Sequence, residues 1–388
     1  MSLFGKIGTT HYNMNNLTML SKEELKRYNR HIILPEFGKE GQVKLKNSRV
    51  LVVGAGGLGC PVLLYLTAAG VGTIGIIDDD KVDESNLQRQ VLFDSNDVGY
   101  LKAEAAVQKL TVQNPNIGFE VCTERLTSEN AIALISNYDL VVDGSDNFQT
   151  RYLVNDACVL TNKPFVFGSI FKFDGQVSVF NYNNGPTYRC LFPEPPSAGE
   201  VPSCSQVGVI GVLPGIIGTL QATEAIKVLT GIGEPLVGKL FHFDALTMQS
   251  TVFQFEKNTE IVVTELIDYD VFCGVEKVAI SEEVASITSS ELSILMGIKP
   301  VCLLDVREDF ELDICKIGDA QHIPLAEVSG RVAEINRDEQ VVVYCHHGMR
   351  SAIAIKLLKQ EYGFTNLVNL EGGIHAWAEE VDDEMERY

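Results

Sequence analysis

The stretch VLVVGAGGLGCPVLLYLTAAGVGTIGIIDDDKVDESNLQRQ, Val50–Gln90, decides the fold. An apolar run, Val50–Val53, passes into a loop holding Gly54, Gly56, Gly57 and Gly59. An apolar segment of helical length follows, then a second apolar run, Thr73–Ile77, ending at Asp78. This is the sequence form of a βαβ nucleotide site. The first glycine permits the tight turn, the next lets backbone approach a ligand, and the last packs helix on strand. An acid ~20 residues past such a loop can hold a ribose hydroxyl. Glycine spacing alone suggests a dinucleotide. The continuation DDDKVDESNLQRQ changes that reading, because an arginine-bearing loop after the ribose acid suits neutralisation of a triphosphate.

The chain has 388 residues, enough for two domains, and its 45% hydrophobic content is that of a globular protein. The formal net charge of −21 argues against nucleic acid or an anionic membrane as partner. No run reads as long and apolar enough to span a bilayer, and no basic segment with a cleavage site opens the sequence, so a cytoplasmic location is expected. The nine cysteines, an odd number without framework spacing, fit a reducing compartment.

Residues 1–20 are polar and aperiodic and are expected to form a loose arm. Ser21 and Glu24 have capping-box spacing. Strand-like and helix-like stretches alternate to about Phe173, which argues a parallel sheet with crossover helices. Gln176–Tyr182 alternates with period two and reads as an antiparallel addition. The proline-rich 193–203 cannot be regular structure, and 215–231 reads as an apolar helix. After Gly274 the pattern restarts, with a helix expected over 281–296. The expected division is an arm (1–20), a nucleotide-binding domain (21–274), a linker (275–280) and a second small α/β domain (281–388). The fold class is α/β, a Rossmann-like doubly wound domain followed by that smaller unit.

Further motifs follow in order: RYNRHIILPEFG (Arg27–Gly38), VGYLKAEAA (Val98–Ala106), DLVVDGSDNFQTRYLVND (Asp139–Asp156), YRCLFPEPP (Tyr188–Pro196), Pro202–Lys227 and GKLFHFDALT (Gly238–Thr247). Together with the glycine segment they resemble the adenylating enzymes that activate ubiquitin-like sulfur carriers, the ThiF/MoeB type of the molybdopterin and thiamine pathways. The resemblance covers about Ser21 to Gly274. It implies that ATP, with Mg²⁺, activates the C-terminal glycine of a small ubiquitin-like carrier ending in Gly-Gly. It implies phosphate contacts from Arg30, Arg89 and Lys102, and nucleotide contacts from Gly54, Gly56, Gly57, Asp78, Asp80, Ser85 and Asn86. Asp146, beside Asn147, would be the essential acid. Taken singly, Arg30 and Lys102 read as surface helix residues and Asp146 as a turn; their joint order carries the functional reading. Cys204 matches a position where members can carry a thioester with the carrier. Members are dimers, so a homodimer is expected, with Arg30 acting across the interface.

The second unit holds VVVYC, then a loop, then SAIAIKLLKQ. The loop runs Cys345, His346, His347, Gly348, Met349, Arg350. A cysteine between a strand end and a helix N-terminus sits among backbone N–H groups, a field that favours the thiolate. With LLDVRE, GDAQHIP and LEGGIHAW, this unit resembles the rhodanese sulfurtransferases over about Ser281 to Glu380. The loop is shorter than that of related phosphatases and suits a sulfane sulfur on Cys345. The adjacent histidines are expected to point apart. A cysteine-desulfurase-type or other donor would load the sulfur.

Members commonly hold zinc with two Cys-x-x-Cys pairs. Here these read Thr187-Tyr-Arg-Cys190 and Asp270-Val-Phe-Cys273, too few thiolates for a closed tetrahedral site. No zinc is expected, and hydrophobic contacts are expected to hold that end. Two other functions compete with this reading. An NAD-linked oxidoreductase needs the glycine loop and Asp78 but leaves Arg89, Asp146 and Cys345 unexplained. A non-catalytic carrier-binding scaffold fits the lost zinc ligands but not the intact Arg30, Arg89, Lys102 and Asp146.

Overall fold

Eight strands form one sheet: β1 (Arg49–Val53), β2 (Thr73–Ile77), β3 (Gly118–Cys122), β4 (Leu140–Asp143), β5 (Phe165–Phe171), β6 (Asp174–Phe180), β7 (Lys239–Asp244) and β8 (Gln249–Gln254). Their spatial order is β3-β2-β1-β4-β5-β6-β7-β8. This computed structural model describes residues 19–196, 208–273 and 284–387. The chain divides into two units, Met1–Lys277 and Val278–Tyr388. The expected linker 275–280 and almost all of the arm lie outside the described residues.

From β3 to β5 all pairings are parallel, with Val50 opposite both Ile74 and Leu140. Parallel sheets need both faces covered, and β1 and β4 are buried on both. Val50, Val52 and Val142 face a core shared with helices Gly59–Ala69 and Val212–Thr230. Leu51, Val53 and Val141 face the other core, rich in aromatic side chains beside helix Phe148–Leu160. Strand order reverses between β1 and β4, so a crevice opens at their carboxyl ends.

The antiparallel strand expected near Gln176 is β6, paired with β5. Two more antiparallel strands, β7 and β8, continue the sheet. The capping box of Ser21 and Glu24 is formed at helix Lys22–Arg27. The apolar helix expected from residue 215 begins at Val212, with Pro214 tolerated in the first turn, where its missing N–H is not needed. By length and composition this helix could cross a membrane, which corrects the expectation that no run is that apolar. Its apolarity comes from lying in the core, where Leu213, Ile217, Ala222 and Ala225 are buried. Its buried Gln221 donates to the carbonyl of Asp143 at 2.7 Å.

The second unit has a five-stranded parallel sheet: β9 (Ser286–Ile287), β10 (Cys302–Asp305), β11 (Gln321–His322), β12 (Val341–Tyr344) and β13 (Leu367–Leu370), in the order β11-β10-β12-β13-β9. Its first helix is Ser289–Ile298, not 281–296. Thr288 and Glu291 close a capping box there, and β9 occupies the preceding residues.

Two close approaches shape the first crevice. Gly54 adopts φ +89°, and a Cβ there would lie 3.1 Å from the Gly144 carbonyl oxygen. A Cβ on Gly59 would lie 1.9 Å from the Gly54 carbonyl oxygen. Gly59→Ala should therefore cost about 3 kcal/mol of stability, since backbone has to move. Gly215→Ala, in open space within a helix, should be neutral or gain up to about 1 kcal/mol. Urea unfolding followed by circular dichroism distinguishes the two.

Candidate functional site

The crevice at the ends of β1 and β4 is assembled by backbone. Gly54 N–H donates to the Ile77 carbonyl and Gly144 N–H to the Val53 carbonyl, each at 2.8 Å. The Gly54–Gly59 loop and the Gly144-Ser145-Asp146-Asn147 loop thus abut. Asp78 accepts from the Ala55 N–H at 2.7 Å and the Asp80 N–H at 2.9 Å. Burial pushes its carboxyl above the ordinary range, opposed by the Ala55 N–H and Lys102. The ribose acid of the sequence reading thereby also braces the glycine loop.

The segment after β2 folds over this loop. Lys102 is not a solvated helix residue: it is buried, and its Nζ lies 2.8 Å from Asp80 Oδ2. Ser85 is held by Asp83 through its N–H at 2.8 Å and its hydroxyl at 2.5 Å, and Asn86 donates to the Ser85 hydroxyl at 3.3 Å. Arg89 donates to the Ser85 carbonyl at 3.2 Å, and a Cβ on Gly57 would lie 3.7 Å from Arg89 Cγ. Gln90, not singled out in the sequence, is buried beside Gly56 with its Oε1 unpartnered.

Across the switch point, Asp146 is exposed at the rim of the second loop. Asn147 has a structural task, since its Oδ1 accepts from Thr150 N–H and caps helix Phe148–Leu160. Asp143 and Arg151 were also not singled out. Asp143 is fully buried, receives both the N–H and hydroxyl of Ser145, and lies 3.7 Å from the Arg151 guanidinium. Nothing in the motif pattern separates Asp143 from its apolar neighbours. Arg30 is exposed on the short helix Asn29–Ile32 and adds no hydrogen bond or ion pair to this cluster among the described residues. Cys204 lies outside the described residues.

In the second unit, β12 delivers Cys345 to the start of helix Met349–Tyr362. Its sulfur is almost fully buried and accepts from the Gly348 N–H at 3.1 Å and the Ser351 hydroxyl at 3.5 Å. Gly348 takes φ +88° to aim that N–H inward. Arg350 is clamped by Glu311 through two bonds of 2.6 and 2.7 Å, so its charge is balanced locally and it holds the loop. His346 and His347 do not point apart. Their ring centroids are 4.0 Å apart, because the loop curls around the sulfur and loses the alternation of extended chain. Burial, then the neighbouring His347 and His375, holds His346 down to about 4; His347 is lowered by burial and His375.

Residues 28–263 match the ThiF family and residues 288–380 the rhodanese-like domain. The chain belongs to the ThiF family. It carries the rhodanese-like domain at its carboxyl side. It is 48% identical to the probable adenylyltransferase/sulfurtransferase MoeZ of Mycobacterium tuberculosis over 380 residues, 95% of this chain and 96% of that protein. It is 40% identical to the adenylyltransferase and sulfurtransferase MOCS3 of Drosophila yakuba, covering 96% of this chain and 86% of that one. A sulfur carrier protein adenylyltransferase of Thermus thermophilus is 54% identical over 66% of this chain and 98% of its own length. Among solved structures, E. coli MccB with MccA-N7isoASN shares the fold at a TM-score of 0.57 and 22% identity, covering 64% of this chain and 76% of that one.

The end of this ThiF-family domain that bears the reduced cysteine pairs is not held by hydrophobic contacts alone. Arg189 makes two 2.7 Å bonds to Asp156, and Tyr269 donates to the same carboxylate at 2.7 Å. The guanidinium also lies 5.0 Å and 4.6 Å from the ring centres of Tyr152 and Phe272. This pair joins helices Phe148–Leu160, Tyr188–Leu191 and Tyr269–Phe272. Cys190 accepts from Thr187 N–H at 3.3 Å, and burial pushes the Cys273 thiol up to about 11. Among the described residues, Cys190, Asp270 and Cys273 are not one of the groups whose ligand atoms converge within 4.8 Å. Removing one member of a buried ion pair leaves the other charge uncompensated, so Arg189→Leu should cost about 3–5 kcal/mol. Thermal unfolding should show Thr187→Ala costing far less.

Proposed function

We propose that this ThiF-family enzyme adenylates the C-terminal glycine of a small ubiquitin-like sulfur carrier and then converts it to the thiocarboxylate with sulfur held on Cys345. The observation that carries the reading is one chain holding two sites at the carboxyl ends of parallel strands. One is a glycine loop bracketed by Arg89, the Asp80–Lys102 pair and Asp146; the other is a cysteine cradled by backbone. The relatives' names, adenylyltransferase and sulfurtransferase, agree with that pairing of activities. An NAD-linked oxidoreductase would leave the second site without a task.

In the proposed reaction the carrier carboxylate attacks the α-phosphorus of ATP, and the bond to pyrophosphate breaks. Such a step needs in-line placement and charge neutralisation. Arg89 supplies a planar fork suited to phosphate. Lys102 is positioned by Asp80, and Gly57 lets the backbone approach. Arg30 serves the same phosphates from a second copy of the chain in a homodimer. The exposed Asp146 carboxylate would hold Mg²⁺, which when bound offsets phosphate charge. The terminal sulfur of a Cys345 persulfide then displaces AMP. A thiol reductant, which is oxidised, cleaves the remaining S–S bond and leaves the carrier thiocarboxylate. A cysteine desulfurase or similar donor reloads Cys345, and a cytoplasmic setting keeps its thiol reduced.

Two variants test the division of labour. Asp146→Ala should abolish carrier-dependent ATP–pyrophosphate exchange in a folded protein. Cys345→Ser should leave exchange intact yet block the mass gain of the carrier given ATP and a sulfur donor, because a serine cannot carry a sulfane sulfur. Exchange at the wild-type rate in Asp146→Ala, or thiocarboxylate at the normal rate in Cys345→Ser without free sulfide, overturns the respective assignment.

The reduced cysteine pairs are proposed to hold no zinc. Elemental analysis should find metal content unchanged by Cys190→Ser; one zinc per chain lost with that substitution would show a site there.

A further inference from the structure

Three histidines gather at the mouth of the Cys345 loop. His346 and His347 belong to the loop itself, and His375 stands in the first turn of helix Gly373–Glu380. Main-chain contact fixes the two segments against each other. Ile374 N–H donates to the Cys345 carbonyl at 2.9 Å, and His375 N–H to the His346 carbonyl at 3.0 Å. Gly373 holds φ +63°, and a Cβ there would lie 2.3 Å from each of those carbonyl oxygens. Nothing larger than glycine permits this approach.

The ring centroids of His347 and His375 are 4.9 Å apart, and those of His346 and His375 5.6 Å. One ring nitrogen from each of the three lies within 4.8 Å of the others. His375 Nδ1 is buried and has no hydrogen-bond partner, while its Nε2 lies 3.6 Å from Glu379. The nearby cation Arg350 is already satisfied by Glu311. Three imidazole rings crowded about a buried, unpartnered nitrogen make a good donor set.

We propose that His346, His347 and His375 form a three-imidazole site for a divalent late transition metal of the zinc class, with water completing the coordination. Imidazole donors suit Zn²⁺ and its neighbours, whereas Mg²⁺ and Ca²⁺ call for oxygen. Zinc–nitrogen bonds of about 2.0–2.1 Å put tetrahedral ligands about 3.4 Å apart. Side-chain rotation of roughly 1 Å therefore closes the arrangement. This site is separate from the reduced cysteine pairs and does not depend on the reaction assigned to Cys345.

The test uses full-length protein without a histidine tag, stripped with chelator and titrated with Co²⁺ under visible spectroscopy, then with competing Zn²⁺. The expected result is one Co²⁺ per chain with nitrogen–oxygen bands, no thiolate charge-transfer band, and displacement by Zn²⁺. His375→Gln, and separately His347→Gln, should weaken binding at least ~10-fold with unchanged circular dichroism, as loss of even an outer-shell partner does. Cys190→Ser should bind as wild type. The exposed His347 supplies the decisive variant if His375→Gln misfolds. Undiminished binding in the folded histidine variants, a thiolate band that disappears with Cys190→Ser, or no retained ion at micromolar concentration would each overturn the proposal.

Discussion

The contact of main chain with main chain at the end of β1 governs the first unit. Gly59 is pressed against the Gly54 carbonyl, and Gly54 against the Gly144 carbonyl. These contacts bring the start of a helix, the end of β1 and the end of β4 into one crevice. Any side chain at these points would force them apart. The Gly54 and Gly144 N–H groups are bonded to strand carbonyls, and Asp78 ties the Ala55 N–H to the next strand. The charged groups around the crevice are then placed by strands already fixed in register.

The second unit solves a similar problem on a smaller sheet. A buried strand carries the Cys345 sulfur to its carboxyl end, and a glycine, Gly348, turns the chain so that an N–H faces it. A second glycine, Gly373, lets another helix begin directly against the loop. In each unit one cation beside the site is secured by a carboxylate partner. Lys102 has Asp80, and Arg350 has Glu311. Such pairing holds long side chains in place before a substrate arrives, at some cost in available charge.

Buried ion pairs are also where folded structure departs most from sequence expectation. Asp143–Arg151 and Asp156–Arg189 each place both charges in the interior. The second pair ties together the short helices that bear Cys190 and Cys273. Satisfied on all sides by Tyr269, Asn155 and two aromatic rings, it gives that end a polar core of its own. Hydrophobic packing alone, as expected for that end, leaves Asp156 and Arg189 without an explanation.

The glycine spacing, the apolar runs at Val50 and Thr73 and the cysteine at the end of VVVYC determined the parallel sheets, the crevice and the sulfur loop. These signals are local: turn geometry and burial on both strand faces leave few other residue choices. The later strands β7 and β8 were less legible because their pairing is antiparallel, β7 is only partly buried and β8 is exposed throughout, so no continuous apolar run marks them. Only the tertiary structure decided that Lys102 is buried against Asp80, that Arg350 faces Glu311, and that His375 joins His346 and His347. Each of these meetings joins residues far apart in sequence or follows the curl of a loop, and no periodicity along the chain encodes the distance between side chains that only packing brings together.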